Sequence, residues 1–318
     1  MTTLPPDQSR LPPDQSRLPP DQSRLPPDQS RLPPDQSRDR RIEDRTNLWV
    51  IHPAARLLLP WFIARGISAN AVSLGGLGLG TLAALAYVRW DEWPFAFAGL
   101  LLSVGWLIAD GLDGMIARAT GTASPLGRIL DGLCDHGVFA LLYIMLALSI
   151  GTPEAWMLAV AAGIAHAVQS NLYESERARF HRRCRRIAIA EPVPSRNPLV
   201  RLYDHTAGTL DRFAWSLDEA LRRHEESAAL ATAYGAAAAA PMRLMSLLTA
   251  NVRTWAIFIA CLAGNPRLFW WFELIPLTAV LVGGLVWHRK VETRLIGRLG
   301  SPDPSSTSPS GGSTNQGT

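Results

Sequence analysis

Six apolar stretches constrain this chain more than any other feature, because each comes near the roughly 20 residues needed to cross a hydrocarbon core of about 30 Å. They run approximately from Ala71 to Val88, Trp93 to Ala109, Gly127 to Ile150, Ala155 to Tyr173, Arg243 to Ala263 and Leu268 to His288. The expected fold class is all-α, a polytopic integral membrane protein with six transmembrane helices. Ahead of the first stretch, Asn47 to Arg65 mixes Trp49, Leu57, Leu58, Trp61 and Phe62 with His52, Arg56 and Arg65, and is interrupted by Pro60. That mixture fits an interfacial amphipathic helix lying on the membrane; a short seventh span is the other reading.

Outside these stretches the chain has little that can pack. LPPDQSR repeats five times from Leu4 to Arg38, and its paired prolines rule out a heptad coiled coil. Residues 1–46 are expected to be a disordered tail, dispensable or used for protein docking, without the apolar core of a signal peptide. Residues 296–318 are expected to be a second disordered tail, leaving a membrane domain over 47–295. The three cysteines, Cys134, Cys184 and Cys261, lack metal-ligand or redox spacing and imply no disulfide framework.

The basic residues set the expected orientation. The turns RWDEWP, IGTPE and GNPR are nearly bare of positive charge. The opposite side receives Arg118, Arg128, the run RARFHRRCRR, Arg289, Lys290 and Arg294. Cytoplasmic loops carry the excess of Lys and Arg, so both termini and the 174–240 segment are expected in the cytoplasm, in a protein of the cell's inner (plasma) membrane. Within that segment, 199–224 has the spacing of an amphipathic surface helix. A formal net charge of +4 could suggest nucleic acid, but the arginines border apolar blocks, where they serve topology or lipid headgroups. No nucleic-acid partner is expected.

Four aspartates stand at the ends of two greasy helices. Asp110 and Asp113 are three residues apart, Asp131 and Asp135 four, so each pair shares a helix face. The short turn through Thr120 to Pro125 makes the two helices antiparallel neighbours, able to bring both faces together. Four bare carboxylates there would repel one another, and hard divalent cations, which take carboxylate oxygens and bind phosphates alongside, resolve the repulsion. One intramembrane Asp could serve helix packing or a proton relay; four at matched spacing point to a site. Gly114, Ala117 and Gly127 leave room for a diphosphate, although small residues also serve helix packing, and Arg118 offers a fixed fork of donors.

The stretch Asp110-Gly-Leu-Asp113-Gly114-Met-Ile-Ala117-Arg118, eight residues, Gly127-Arg-Ile-Leu-Asp131-Gly-Leu-Cys-Asp135 resembles the signature of the CDP-alcohol phosphotransferase family at every position. The resemblance covers roughly Asn47 to Arg294. It implies a membrane enzyme of phospholipid synthesis that transfers a substituted phosphate group from a CDP-alcohol to an alcohol acceptor, releasing CMP. Asp110, Asp113, Asp131 and Asp135 would hold two divalent ions, Mg2+ or Mn2+, with Asp135 also the catalytic base. Asp113, Gly114, Ala117, Arg118 and Gly127 would bind the CDP group. A homodimer within membrane lipid is the implied assembly.

The donor is expected to be CDP-diacylglycerol, with transfer of a CDP-linked choline or ethanolamine headgroup to diacylglycerol as the alternative. TGTASPLG inside the motif is reminiscent of the choline and ethanolamine branch, and His136 stands where glycerol-phosphate users often carry Lys. His166, Gln169, Ser170, Tyr173, Glu174 and Arg177 form a polar stripe at spacings of three and four. Tyr173 and Arg177, with Asn251 and Arg253 further on, are the candidate acceptor contacts. Interfacial solvation of the stripe and an Arg253–Glu273 pair are the structural alternatives. The rival classes are an intramembrane prenyltransferase, whose aspartate motifs lie far apart in sequence, and a non-enzymatic transporter.

Overall fold

The computed structural model describes residues 39–185 and 227–299, which form helices joined by short turns. A wide π-helical turn (Asn47–Ile51) leads into α1 (His52–Ala64), followed by α2 (Ala69–Tyr87), α3 (Trp93–Ala119), α4 (Pro125–Ile150) and α5 (Pro153–Cys184). After the gap come α6 (Ser227–Met245), α7 (Ala250–Leu262), α8 (Arg267–Phe272) and α9 (Thr278–Leu299), with a second π turn, Glu273–Leu277, between the last two.

Local sequence explains the helix starts. Ser68, Ser124 and Thr152 sit in extended backbone just before α2, α4 and α5, and their hydroxyl oxygens accept from the amides of Ala71, Gly127 and Ala155 at 3.3, 3.0 and 3.2 Å. Proline follows Ser124 and Thr152 directly, in the first turn, where its missing N–H costs nothing. Gly151, at φ +69°, ends α4 in the left-handed region.

Four helical runs are long and apolar enough to cross a membrane: Ala69–Tyr87, Trp93–Ala119, Gly127–Ile150 and Arg267–Gly297. A fifth crossing is available where Ala228–Leu248 and Ala250–Leu262 form one span bent by 44°. Large apolar side chains such as Leu101, Val160, Ile259 and Val282 are exposed on the helix exteriors. An aqueous surface would penalise such a belt and lipid would not. The chain is an integral membrane protein.

The structure differs from expectation in three places. Arg243 to Ala263 is not one helix: Thr249 is extended (φ −73°, ψ 157°) and breaks the run, while α6 begins well upstream, inside the segment expected as a loop. Ala155 to Tyr173 belongs to the 32-residue α5. Its His166, Gln169, Ser170 and Asn171 lower the hydropathy, and α5 is not among the helices apolar enough to count as a span. Both expected tails are shorter than 1–46 and 296–318: Ile42 is buried with Tyr173, Phe180 and Tyr234, the Asp44 carboxylate accepts from Asn251 Nδ2 at 2.7 Å, and residues 296–299 continue α9, with Ile296 packed against the same buried cluster. The repeats, the surface helix expected over 199–224 and the 300–318 end lie outside the described residues.

Two sets of contacts fix the ends of the bundle. Trp90 Nε1 donates to Ser149 Oγ at 3.1 Å and Arg267 Nη2 to Thr152 Oγ1 at 3.3 Å, gathering the turns after α2, α4 and α7 at one end. At the other end, Glu176 and Arg183 of α5 meet Arg289 and Glu292 of α9. α5 therefore runs the full length of the bundle.

Between these ends α2 packs along both α3 and α4, and its glycines allow the approach. A Cβ at Gly76 would lie 3.2 Å from Ala109 Cβ; one at Gly80 would lie 2.3 Å from Val138 Cγ2. Only glycine lets α2 sit this close to both aspartate-bearing helices.

A buried ionic network closes the second end. His288 Nδ1 meets Glu176 Oε2 at 2.7 Å, Arg179 donates to Glu176 at 2.6 Å, and Arg289 donates to both Glu176 and Glu292. The His288 hydrogen bond and the Arg179 and Arg289 guanidiniums offset the cost of burying the Glu176 carboxylate. Ligand atoms of Glu176, His288 and Glu292 approach within 4.8 Å of one another. Arg179, Arg183 and Arg289 nevertheless occupy these carboxylates, so a further cation is electrostatically unwelcome there.

Candidate active site

The aspartates of α3 and α4 do converge. One carboxylate oxygen each of Asp110, Asp113 and Asp131 lies within 4.8 Å of the other two. Asp113 is buried and held by Ser73 of α2, whose hydroxyl donates to Oδ2 at 2.5 Å. Asp110 and Asp131 are half-buried. A cluster of hard oxygen donors suits a divalent cation and no softer ion. Asp135 stands slightly apart, one turn further along α4, where Trp106 Nε1 donates to its Oδ1 at 3.2 Å. The fit to a metal is therefore best for three of the four expected ligands, with Asp135 beside them.

The residues expected to hold CDP flank this cluster at the α3–α4 turn. Gly114 is crowded by its own neighbour one turn on, since a Cβ there would come within 3.3 Å of Arg118 Nη1. At Gly127 a Cβ would lie 3.1 Å from Ser124 Oγ and 3.6 Å from Asn70 Oδ1. Ala117 is half-buried and Arg118 exposed at the end of α3.

On the other flank a cavity of about 830 Å3 opens from the aspartates towards α5 and α7. Asp110, Asp131 and Asp135 line it together with all four expected acceptor residues, Tyr173, Arg177, Asn251 and Arg253. Four helices, α3, α4, α5 and α7, thus share one chamber. Arg128, His136 and Asn47 also line it, and spacing alone did not single them out as site residues. Asn47 could have been found only from the tertiary contact it makes with Asn251, 204 positions away.

Three of the four acceptor candidates already have side-chain partners. Arg253 is 1% exposed, and its Nε donates to Glu273 Oε1 at 2.8 Å, its Nη2 to Gln169 Oε1 at 2.8 Å and its Nη1 to the Leu248 carbonyl. The Glu273 pair that the sequence offered as an alternative is formed. Tyr143 adds a donor to the same carboxylate at 3.0 Å, and Gln169 Nε2 donates to the Glu273 carbonyl at 2.9 Å. Asn251 Nδ2 donates to Asp44 at 2.7 Å and to Asn47 at 2.8 Å. Arg177 is paired with Glu174 at 2.8 Å near the mouth, and Tyr173 is buried in the wall.

Residues 67–179 match the family model described as CDP-alcohol phosphatidyltransferase. The matched stretch contains all four aspartates and the whole signature that carried the resemblance. Similar curated proteins include cholinephosphotransferase 1 of Gallus gallus, 36% identical over 110 residues, which are 31% of this chain and 31% of the relative. Cholinephosphotransferase 1 of Xenopus laevis is 30% identical over 121 residues (34% of this chain, 30% of the relative). That of Homo sapiens is 28% identical over 134 residues (37% and 33%). The chain thus spans about a third of the length of the curated relatives it matches.

Proposed function

We propose that the protein transfers a phosphorylated headgroup from a CDP-linked alcohol to a neutral lipid alcohol, diacylglycerol, with release of CMP. The observation that carries the choice of acceptor is the charge of the cavity. Its acidic residues are Asp110, Asp131, Asp135 and Glu174; of its arginines, Arg253 is spent on Glu273 and Arg177 on Glu174. Arg128 is exposed at the rim, next to Gly127 on the nucleotide side. Among the described residues, a phosphate-bearing acceptor such as glycerol phosphate would find no arginine in this chamber beyond that rim residue that is not already paired with a carboxylate. A neutral alcohol needs no such partner. The cholinephosphotransferase relatives point the same way, so the CDP-diacylglycerol donor expected from the sequence becomes the second reading.

Asp110, Asp113 and Asp131, with Asp135 as a fourth, would hold divalent cations, Mg2+ or Mn2+. When bound, these ions supply neutralisation of the diphosphate and of the charge that develops on the departing CMP. The protein's own contribution is placement. Asp113 is fixed by Ser73, and Gly114, Ala117, Arg118 and Gly127 would hold the cytidine diphosphate beside the cluster. Asp135 lines the cavity beside the cluster, where it can take the proton of the acceptor hydroxyl. The acceptor oxygen then bonds to the phosphorus that bears the headgroup as that phosphorus loses its oxygen bridge to CMP.

In the membrane, α5 would complete six crossings with the four apolar runs and the bent α6–α7 pair, and α1 would lie on the surface. The arginine-rich end of the bundle, with the site beside it, would face the cytoplasm.

The deciding experiment supplies membranes with labelled CDP-choline or CDP-ethanolamine plus diacylglycerol, and separately with CDP-diacylglycerol plus glycerol phosphate, serine or inositol phosphate. Labelled phospholipid and CMP from the first set alone are expected. Product only from the second set would overturn the neutral-acceptor reading.

A further inference from the structure

We propose that Trp106 is a positioning residue for Asp135, an inference that rests on Asp135 being the group that receives the acceptor's proton. Trp106 lies on α3 one turn before Asp110 and is 1% exposed. Its indole N–H donates across to Asp135 Oδ1 on α4 at 3.2 Å. A buried indole usually finds a partner, which would make the contact mere satisfaction of a donor. This bundle contradicts that reading from within: Trp270 is equally buried, and its Nε1 has no hydrogen-bond partner. The fold tolerates an unpaired indole, so the pairing at Trp106 is not forced by burial alone.

The ring is also held in place. It packs edge-on against Phe139, with centroids 5.3 Å apart and planes at 78°, and Phe139 in turn lies 4.3 Å from His166 in the cavity wall. On its other side α2 comes so close that a Cβ at Gly76 would stand 3.5 Å from Trp106 Cδ1. The terminal torsion of an aspartate is broad when nothing restrains it. With Oδ1 tied to a fixed donor, the orientation of the carboxylate is restrained. A base held in one orientation loses less in reaching the transition state than one that must be ordered there.

The test is a double-mutant cycle between Trp106→Phe and Asp135→Asn on the full chain in detergent, normalised to folded protein by size exclusion. Trp106→Phe keeps an aromatic ring and removes the donor. It is expected to lower kcat about tenfold to a hundredfold, the range for losing a hydrogen bond to a charged group, with KM for the CDP substrate little changed. In the Asp135→Asn background the same substitution should cost nothing further, because Trp106 acts only through that carboxylate. Trp270→Phe, a matched buried indole, should leave kcat per folded molecule unchanged. Equal losses from Trp106→Phe in both backgrounds, or no loss in either, would overturn the proposal while leaving Asp135 as base. Near wild-type turnover by Asp135→Asn itself would overturn the base and this inference together. Should Trp106→Phe fail to fold, benzothienylalanine at 106 replaces the N–H by sulfur at nearly the same shape and reads the same kcat.

Discussion

Gly80→Ala tests whether the glycine face of α2 sets the distance between the two aspartate helices. The added methyl would lie 2.3 Å from Val138 Cγ2, 2.6 Å from Cγ1 and 3.0 Å from Cβ. Carbon atoms rest at about 3.5–4.0 Å, so α4 must retreat by roughly 1.2–1.7 Å or Val138 must leave its rotamer. Val138 is one turn beyond Asp135 and two beyond Asp131, so a retreat of α4 moves both carboxylates away from Asp110. Overpacking of this kind costs about 1–3 kcal/mol, and replacing glycine inside a helix returns about 1 kcal/mol. The net loss of stability is therefore small, about 0–2 kcal/mol. A misplacement of about 1 Å at a reacting group can cost about a hundredfold in rate, so turnover should suffer far more than folding. Thermal melting in detergent and CMP release measure the two separately. Val138→Ala removes both γ carbons and leaves only the Cβ at 3.0 Å, so the double variant should recover most of the lost rate. A Gly80→Ala protein that melts higher and turns over normally would refute the reasoning, as would a rate loss that Val138→Ala does not relieve.

Other consequences can be read from the same geometry. Asp135→Asn should reduce turnover by about a hundredfold or more while CDP-substrate affinity changes much less, whereas Asp110→Asn, within the oxygen cluster, should weaken both; binding titrations beside initial rates separate the two. Chelation with EDTA should abolish CMP release, and Mg2+ or Mn2+ should restore it, because the clustered carboxylates cannot hold a diphosphate against their own charge; full activity after thorough chelation would refute the metal site. Arg253→Ala should destabilise the bundle by about 3–5 kcal/mol by stranding the fully buried Glu273, and Arg253→Ala with Glu273→Gln should recover part of that in thermal melts. Cys134 and Cys261 are buried and Cys184 half-buried at the arginine-rich end, so an impermeant maleimide should label Cys184 from the cytoplasmic side in inverted vesicles and not from outside whole cells.

What could be read along the chain was whatever depends on near neighbours. Asp110 with Asp113, and Asp131 with Asp135, lie within one turn of a helix, and helical geometry alone places each pair on one face. Ser124-Pro125 and Thr152-Pro153 mark helix starts for reasons contained in a few residues. The length of the apolar runs likewise announced membrane helices, since lipid leaves a long greasy segment few other conformations. The break at Thr249 was not legible, because the apolar pattern of Arg243 to Ala263 runs through it. The role of Arg253 was open as well: whether a guanidinium waits for a substrate or is spent on Glu273 depends on where α7 and the second π turn meet. Only the folded chain brought Asn47 to Asn251 and set Trp106 against Asp135. Such contacts join positions far apart in sequence, and their energy comes from desolvated pairing that no local window contains. The charge of the acceptor chamber is likewise a tertiary quantity: the sequence supplies its arginines and acids, but packing decides which of them neutralise each other before any substrate arrives.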